Sequence, residues 1–419
     1  MNIGIVTDWM DTGAGVVSRQ YVECLGKEHQ VFIYARPLSL KKRHDPHWDL
    51  SNVEWSRKHI VPQGLWEKPF VRWLRKNNID TVIFNEQRRW DAVCWAREAG
   101  VKVGAYVDYY TQKSVPLFAL YDFLICNTKR HFSVFEWHPQ AFYTPWGTDT
   151  NLFAPQTRED DAAGGVRFFI SAGFDGHPEV WGNAHNRRGV EFALRAFLGV
   201  KGNARLIVHS QLSLEDCAAN WQEMVQSDER IEWIHKTVRA PGLYYLGDVY
   251  LYPSKLDGIG LTLPEALSCG LAAITTDEAP MKEFVTDGEN GRLIPVKMHR
   301  GRKDGYYWAE SYCDEKALTG LMQAYVDDPS LVEQHKTVAR QRAEMCLEWS
   351  KNSKELPGLL ENVSRIELAD RYNLLAQAGK AQDREDYPTT MELLLRAAGR
   401  WVRFLGLRQM LSHASGKES

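Results

Sequence analysis

The stretch LYPSKLDGIGLTLPEALSCG, residues 251–270, carries most of the information about the fold. Its apolar start predicts a buried strand that ends at Pro253, and Gly258 and Gly260 predict a loop with little side-chain bulk. Pro264 has the fixed φ angle that suits the first turn of a helix, so a short helix should begin there. A strand, a glycine-rich loop and a helix in this order are typical of the ligand-binding edge of a parallel α/β sheet.

Two carboxylates in this stretch, Asp257 and Glu265, are separated by the loop. Glu265 lies in the first turn of the predicted helix, where the helix dipole favours the ionised form. An ionised carboxylate can accept two hydrogen bonds from a vicinal diol such as a ribose, and loop N–H groups can hold a phosphate. The pattern therefore predicts a nucleotide-like ligand, and the alternative is a surface carboxylate beside an acid that caps the helix.

Short apolar runs alternate with longer amphipathic runs on both sides of this stretch. In the first half, strands are predicted at residues 3–7, 30–34, 81–84, 102–107, 123–126 and 141–143. The pattern then restarts, with strands predicted at residues 167–171, 205–209, 231–234, 249–252 and 272–275. Strands separated by helices predict parallel sheets, so we expect two doubly wound α/β domains with a cleft between them.

The expected parts are two Rossmann-like domains, C-terminal helices that return toward the first domain, and a basic amphipathic tail, at residues 1–155, 156–345, 346–380 and 381–419. Long helices are predicted at residues 331–349 and 355–377. In the tail, residues 390–411 place arginines on one helical face and apolar residues with Trp401 on another. Such a helix can lie peripherally on the inner face of a membrane, and docking on the protein body is the alternative.

Composition excludes several classes of protein. The 419 residues suggest two to four domains, and 51 Lys and Arg against 54 Asp and Glu predict no nucleic-acid partner. The N-terminus lacks a basic region before an apolar core, and no apolar run approaches about 20 residues, so neither a secretory signal nor a membrane-spanning helix is expected. The seven cysteines form no CxxC pair, which favours reduced thiols, a cytoplasmic location and no zinc site.

A second glycine-rich turn, DTGAGVVS at residues 11–18, follows the first predicted strand. Gly13 and Gly15 would let backbone N–H groups approach an anion at the start of a helix. The turn is a degenerate dinucleotide-binding fingerprint, because Ser18 replaces the third glycine and Arg36 follows the second strand where an NAD site has an acidic residue. An NADP-like site, another ligand and a plain strand–helix turn all remain open.

Residues 253–276, PSKLDGIGLTLPEALSCGLAAITT, resemble the E-x7-E signature of retaining glycosyltransferases with the GT-B architecture, in particular glycosyltransferase family four. Three shorter segments resemble other elements of that family: PWGTDTNLF at 145–153, NRRG at 186–189 and KEFVTDGENG at 282–291. The matching segments lie within residues 2–345, so the resemblance covers both expected domains.

The resemblance implies two facing Rossmann-like domains, the first for the acceptor and the second for a nucleotide-sugar. It implies transfer of a sugar to a glycan, lipid-linked or small-molecule acceptor with retention of configuration, with no metal ion and no cofactor besides the donor. Three alternatives stay open: a non-catalytic nucleotide-sugar-binding protein, a nucleotide-sugar epimerase or phosphorylase on the same fold, and, more remotely, an NADP oxidoreductase.

The resemblance also implies roles for individual residues. Glu265 would hold the ribose hydroxyls, and Arg188 would neutralise the departing diphosphate. Gly13 and Gly15 would face the donor phosphates from the other domain. The backbone groups that would meet the diphosphate and the donor sugar belong to Gly258, Ile259, Gly260, Leu261 and Thr262.

Three positions depart from the family pattern. Asp257 stands where the family has the glutamate that touches the donor sugar. Phe174 stands where the family often has a second basic residue, which the neighbouring Arg187 could replace. Val107 stands where many members have a histidine, so Asp108 becomes the ionisable group expected nearest the reaction centre; a strand-end carboxylate that caps a loop is the alternative.

Overall fold

The computed structural model describes residues 1–36, 45–59, 63–87, 89–158, 164–178, 185–367 and 370. These residues divide into two units. The first contains Met1–Ile125, Trp137–Ala141 and the described residues from Pro357 onward, and the second contains Cys126–Glu136 and Phe142–Leu356. The tail at 381–419, with its amphipathic segment 390–411, lies outside the described residues, and the expected domain boundaries stay predictions.

The first sheet has seven strands in the order β3-β2-β1-β4-β5-β6-β7. Their bounds are β1 Asn2–Thr7, β2 Gln30–Ala35, β3 Val53–Trp55, β4 Thr81–Asn85, β5 Lys102–Tyr106, β6 Phe123–Cys126 and β7 Ala141–Tyr143. Strand β1 pairs in parallel with both β2 and β4. The chain therefore adds strands first on one side of β1 and then on the other. In doubly wound sheets the carboxyl edge at such a reversal is where ligands bind.

Four helices lie between these strands along the chain: α1 Gly13–Leu25, α2 Glu67–Lys76, α3 Trp90–Glu98 and α4 Lys129–Phe135. Helices α1, α2 and α3 form because an apolar stripe of each faces a sheet whose strands are apolar on both faces. In α2 that stripe is Phe70, Trp73 and Leu74, all buried. Helix α4 belongs to the second unit, as part of Cys126–Glu136.

The second sheet repeats the doubly wound order with six strands, β10-β9-β8-β11-β12-β13. Their bounds are β8 Val166–Gly173, β9 Ala204–Ser210, β10 Ile231–His235, β11 Val249–Tyr252, β12 Ala272–Thr276 and β13 Gly291–Ile294. The central strands β11 and β12 are entirely buried, and β8 is buried at five of its eight residues, because helices cover both faces of a parallel sheet. Two such sheets with C-terminal helices confirm the fold class expected from the sequence.

Six helices complete the second unit: α5 Val190–Leu198, α6 Ala219–Gln226, α7 Thr262–Ser268, α8 Glu315–Asp327, α9 Pro329–Cys346 and α10 Trp349–Asn352. An antiparallel hairpin, β14 Val296–Arg300 with β15 Glu310–Cys313, was not predicted. The N–H of Ser311 in β15 donates to the carbonyl of Lys255 over 2.8 Å, which ties the hairpin to the loop after β11.

The predicted helix at 331–349 is wrong at its end, because α9 ends at Cys346 and a separate helix, α10, begins at Trp349. Glu348 leaves the helix, and its carboxylate accepts the N–H of Ser350 over 3.1 Å and that of Thr150 over 3.0 Å. The side chain thus caps α10. Because the Glu348 carboxylate accepts hydrogen bonds from two backbone N–H groups, it favours the start of a new helix over continuation of α9.

The predicted helix at 355–377 is wrong within the described residues, because α11 covers Leu356–Asn362 and residues 363–367 are not helical. Residues 371–377 of that prediction lie outside the described residues. Beyond it, the N–H of Ser364 donates to Gln140 and that of Ile366 donates to Asp122, each over 2.9 Å. Side-chain acceptors replace the helical carbonyls there, so the helix ends. In the part of the chain that the structure describes, no helix is long and apolar enough to cross a membrane.

Candidate active site

The loop after β11 and the start of α7 form the centre of the candidate site. Helix α7 begins at Thr262, two residues before the predicted start at Pro264. Gly260 has a φ of 83°, and a Cβ there would lie 3.2 Å from the Tyr252 ring. The loop therefore needs glycine at 260 both for its backbone conformation and for space.

Asp257 is held by three hydrogen bonds. Its Oδ2 accepts from Arg187 over 2.7 Å and from the Tyr252 hydroxyl over 2.6 Å, and its Oδ1 accepts from the N–H of Gly258 over 2.9 Å. Burial would raise its pKa, but Arg187, the Tyr252 hydrogen bond and Arg188 outweigh burial and lower it below the ordinary value. Asp257 is therefore ionised and fixed in orientation.

Arg188 lies just before α5, at the carboxyl edge of the second sheet. Its backbone N–H donates to the buried carboxylate of Asp175 over 2.7 Å, and its Nη1 donates to the carbonyl of Ser171 over 2.8 Å. Gly173 lies against the guanidinium, since a Cβ there would be 3.2 Å from Cζ. Both the backbone and the side chain of Arg188 are thus anchored to the end of β8.

The turn between Arg188 and α5 depends on one glycine. Gly189 has a φ of 77°, and a Cβ on it would lie 2.0 Å from the carbonyl oxygen of Pro253. No side chain fits there, so Gly189 permits the arginines before α5 to approach the loop that follows β11.

Glu265 lies in the first turn of α7, as predicted, but its ionisation differs from the expectation. Burial raises its pKa to about 7, and the hydrogen bond from Tyr244 and the charge of Arg188 only partly oppose that effect. The Tyr244 hydroxyl donates to Oε2 over 2.5 Å. Desolvation outweighs the dipole of a short helix, so the prediction that the helix keeps this carboxylate fully ionised is wrong.

Arg188 acts electrostatically on both acids of the loop. Its charge contributes to the lowered pKa of Asp257 and partly opposes the rise that burial causes in the pKa of Glu265. Burial lowers the pKa of His209 at the end of β9, and the charge of Arg188 adds to that effect. His209 itself donates from Nε2 to the carbonyl of Lys236 over 2.7 Å. One anchored cation therefore acts on two carboxylates and a histidine.

His131, on α4, is a member of this site that the sequence analysis missed. Its Nε2 lies 3.0 Å from the carbonyl oxygen of Gly258, and its side chain is completely buried, with 0% exposed. Tyr244 and Tyr252 were also missed. No motif marks these residues, because their contacts form only in the folded chain.

Phe174 and Arg187 are two positions that the sequence analysis singled out. Phe174 follows β8, and its apolar ring is 63% exposed. Arg187 pairs with Asp257 in the contact already described. Its positive charge is engaged by that carboxylate, which also raises the pKa of the guanidinium.

The glycine-rich turn of the first unit has a structural explanation. The N–H of Gly15 donates to the side chain of Thr12, which caps α1, over 3.2 Å. A Cβ on Gly15 would lie 1.9 Å from the carbonyl oxygen of Met10, so packing alone requires glycine there. Gly13 is the first residue of α1, and Asp108 lies two residues beyond β5, after the buried Val107.

Arg36 disfavours the NADP alternative. Its side chain is buried, and its guanidinium donates to Asp8 over 3.0 Å, to Gln87 over 2.8 Å and to the carbonyl of Asn85 over 2.5 Å. All three nitrogens are therefore used within the protein, whereas a 2′-phosphate needs an accessible arginine.

Among the residues that the structure describes, no group of three or more His, Cys, Asp and Glu side chains is placed to hold a metal ion. The charged groups near the loop are instead paired arginines and carboxylates.

In comparison with known proteins, residues 180–301 match the family model "Glycosyl transferases group 1". These residues include Arg188 and the loop. The lipopolysaccharide core biosynthesis mannosyltransferase LpsB of Rhizobium meliloti (strain 1021) is 24% identical over 164 residues, covering 32% of this chain and 42% of that protein. The chain spans half or less of the length of the curated relatives it matches.

Solved structures resemble nearly the whole described chain. Sucrose-phosphate synthase from Thermosynechococcus elongatus superposes with a TM-score of 0.65 at 17% identity, covering 86% of this chain and 98% of that chain. Anabaena Alr3699/HepE in complex with UDP-glucose gives 0.63 at 14% identity, covering 86% and 99%. At these identities the likeness shows the fold, and together with the family-model match it supports a glycosyltransferase of the GT-B type.

Proposed function

We propose that this protein is a retaining glycosyltransferase that takes a sugar from a nucleotide-sugar without a metal ion. The observation that carries the proposal is the placement of Arg188, whose charge acts on both Asp257 and Glu265 at the edge of the glycine-rich loop. A cation held beside loop N–H groups suits a diphosphate, and a carboxylate in the first turn of α7 suits a ribose.

In this proposal Arg188 stabilises the negative charge that develops on the departing diphosphate. The Ser171 carbonyl holds the guanidinium and Asp175 holds the backbone N–H before the donor binds, so little reorganisation accompanies the reaction. The N–H groups of Ile259–Thr262 assist it, whereas the N–H of Gly258 donates to Asp257. Such preorganised charge replaces the divalent ion that other phosphate-transfer sites use.

Glu265 binds the ribose hydroxyls when it is ionised. The Tyr244 hydroxyl occupies one acceptor position on Oε2, and a carboxylate offers about four such positions in all. Two ribose hydroxyls can therefore be accepted beside the tyrosine. The base would lie toward the end of β10.

Asp257 touches the donor sugar through Oδ1 in this proposal. Its Oδ2 already accepts two hydrogen bonds, whereas its Oδ1 accepts one from Gly258. A sugar hydroxyl can supply the second. Gly13 and Gly15 as donor-phosphate contacts, and Asp108 near the reaction centre, remain sequence-based assignments in the first unit.

The proposed acceptor is a glycan, a lipid-linked sugar or a small molecule, used at a cytoplasmic location or peripherally on the inner face of a membrane. LpsB, named as a mannosyltransferase of lipopolysaccharide core biosynthesis, supports a surface-polysaccharide acceptor. Anabaena Alr3699/HepE, solved with UDP-glucose, supports a UDP-sugar among the donors to be tried first.

The experiment is incubation of the purified protein with UDP-, GDP- and ADP-sugars, with release of the nucleoside diphosphate measured over time. Slow release from at least one donor is the expected result, because transferases of this kind also pass the sugar to water. The anomeric configuration of the released or transferred sugar, read by proton NMR, should match that of the donor.

A second candidate is a nucleotide-sugar-binding protein without catalysis. The engagement of Asp257 by Arg187 and Tyr252 favours it, since these contacts use part of the carboxylate that would touch the sugar. Tight binding of a nucleotide-sugar without any release of nucleoside diphosphate, with and without candidate acceptors, would support this alternative.

A further inference from the structure

His131 contacts the loop from a helix that precedes it by more than 100 residues. Its Nε2 is 3.0 Å from the carbonyl oxygen of Gly258. A carbonyl oxygen only accepts, so Nε2 carries the hydrogen. Burial, followed by the charge of Arg130, lowers the pKa of His131 to about 3. The imidazole is therefore a neutral, permanent donor near neutral pH.

The helix that carries His131 is firmly held in the second unit. The carboxylate of Glu283 accepts the N–H groups of Lys129 over 2.7 Å and Arg130 over 2.9 Å. The hydroxyl of Thr128 accepts the N–H of His131 over 3.1 Å and caps the helix. These bonds satisfy the first N–H groups of α4, so the imidazole projects from a fixed helix end.

Gly258 has both of its backbone polar groups bound. Its N–H donates to Oδ1 of Asp257 over 2.9 Å, and its carbonyl accepts from His131. The peptide that joins Gly258 to Ile259 is planar and trans, so the N–H of Ile259 points opposite to that carbonyl. Fixing the carbonyl therefore fixes the direction of the next N–H.

We infer that His131 is a positioning residue, which holds the Gly258–Ile259 peptide so that the Ile259 N–H faces the donor diphosphate. The inference rests on the proposed function, because the diphosphate site at this loop is part of it. Gly258 lacks a side chain that could restrict this peptide, so an external donor is needed to select one orientation.

The test compares the binding of UDP and uridine, and of the GDP and ADP pairs, to wild-type protein and to His131→Leu. Removal of the donor should weaken the preferred nucleoside diphosphate by about tenfold, as loss of a buried hydrogen bond does. Affinity for the matching nucleoside, measured by competition, should change by less than about twofold, because Glu265 and not the loop holds the ribose.

Two further variants sharpen the comparison. His131→Gln keeps an N–H donor at nearly the same reach and should retain diphosphate affinity within about threefold. His335→Leu is the matched control, since His335 is another buried histidine, with its Nδ1 2.7 Å from the Tyr325 hydroxyl. It should lower the melting temperature without changing the ratio of diphosphate to nucleoside affinity.

The outcomes separate the two claims. If wild-type protein binds no nucleoside diphosphate, the proposed function fails and this inference fails with it. If wild-type protein binds one and His131→Leu leaves the affinity ratio unchanged, the inference alone is overturned. Should His131→Leu not fold, His131→Asn, whose amide is too short to reach Gly258, provides the same comparison with the same deciding ratio.

Discussion

The hydroxyl of Tyr244 donates to Oε2 of Glu265 over 2.5 Å. This bond connects the turn before β11 to the first turn of α7, and it holds the carboxylate in one orientation. Because it stabilises the ionised form, it opposes the rise in pKa that burial causes. The pair therefore sets the pH range in which Glu265 can accept hydrogen bonds from a ribose.

Nucleotide binding should depend on pH through Glu265. The pKa of this group is raised to about 7, so the ionised form, and with it the affinity, should increase from pH 6 to pH 8. Tyr244→Phe removes a donor that lowers the pKa, so the midpoint should move to higher pH. Calorimetric titration with the nucleoside of the accepted donor, which carries no phosphate, measures this effect without titration of a phosphate on the ligand.

Glu265→Gln is the control for that pH dependence, because an amide does not titrate in this range. Its affinity for the same nucleoside should be low and independent of pH between 6 and 8. A wild-type affinity that stays constant over the same interval would contradict the assignment of the ribose to Glu265.

Asp257→Asn should lower turnover by about 10-fold or more while nucleoside diphosphate affinity changes little, because the lost charge acts on the reacting sugar. The measurement is steady-state kinetics with the accepted donor. Asp248→Asn is a matched control, since Asp248 forms an ion pair of the same length, 2.7 Å, with Arg158. If Asp257→Asn turns over every donor at the wild-type rate, the residue only secures Arg187 and the loop.

Gly189→Ala should destabilise the second unit by about 2 kcal/mol or more, because alanine is strained at positive φ and its Cβ would overlap the Pro253 carbonyl. Urea unfolding followed by circular dichroism measures the change. Gly288→Ala has a similar φ of 76° with open space around it, so it isolates the backbone strain. Equal losses of unfolding free energy in the two variants would show that the close approach of residue 189 to Pro253 contributes nothing to the destabilisation.

Activity should survive treatment with EDTA. Arg187 pairs with Asp257 beside the loop, the Arg188 guanidinium donates to the Ser171 carbonyl, and the proposal assigns neutralisation of the diphosphate to Arg188 and backbone N–H groups. Donor consumption is measured before and after chelation and dialysis. Loss of activity that Mg²⁺ or Mn²⁺ restores would contradict this account of the site.

Most strands and the position of Glu265 could be predicted from the sequence, because both depend on local patterns. Apolar runs bounded by Gly and Pro mark the strands, and Pro264 and Gly260 mark the loop and helix. The short strands β3 and β13 and the hairpin of β14 and β15 were missed, since few apolar residues mark them and the exposed β14 is largely polar.

The partners of the site residues could not be predicted, because they come from distant positions. His131 is 127 residues from Gly258, and Arg187 is 70 residues from Asp257. The ionisation of Glu265 was mispredicted for a related reason. A helix start is visible in the sequence, whereas the burial that raises the pKa depends on how Tyr244 and its neighbours pack around the carboxylate.

The most direct test of the central claim is the turnover of Arg188→Ala with the nucleotide-sugar that the wild-type protein consumes. Arg195→Ala is the matched control, because Arg195 is an exposed arginine on α5 that pairs with Glu191. Loss of transition-state charge stabilisation predicts a fall in kcat of roughly 10²-fold or more for Arg188→Ala, with the control near wild type. A correctly folded Arg188→Ala with a kcat equal to that of Arg195→Ala would contradict the account.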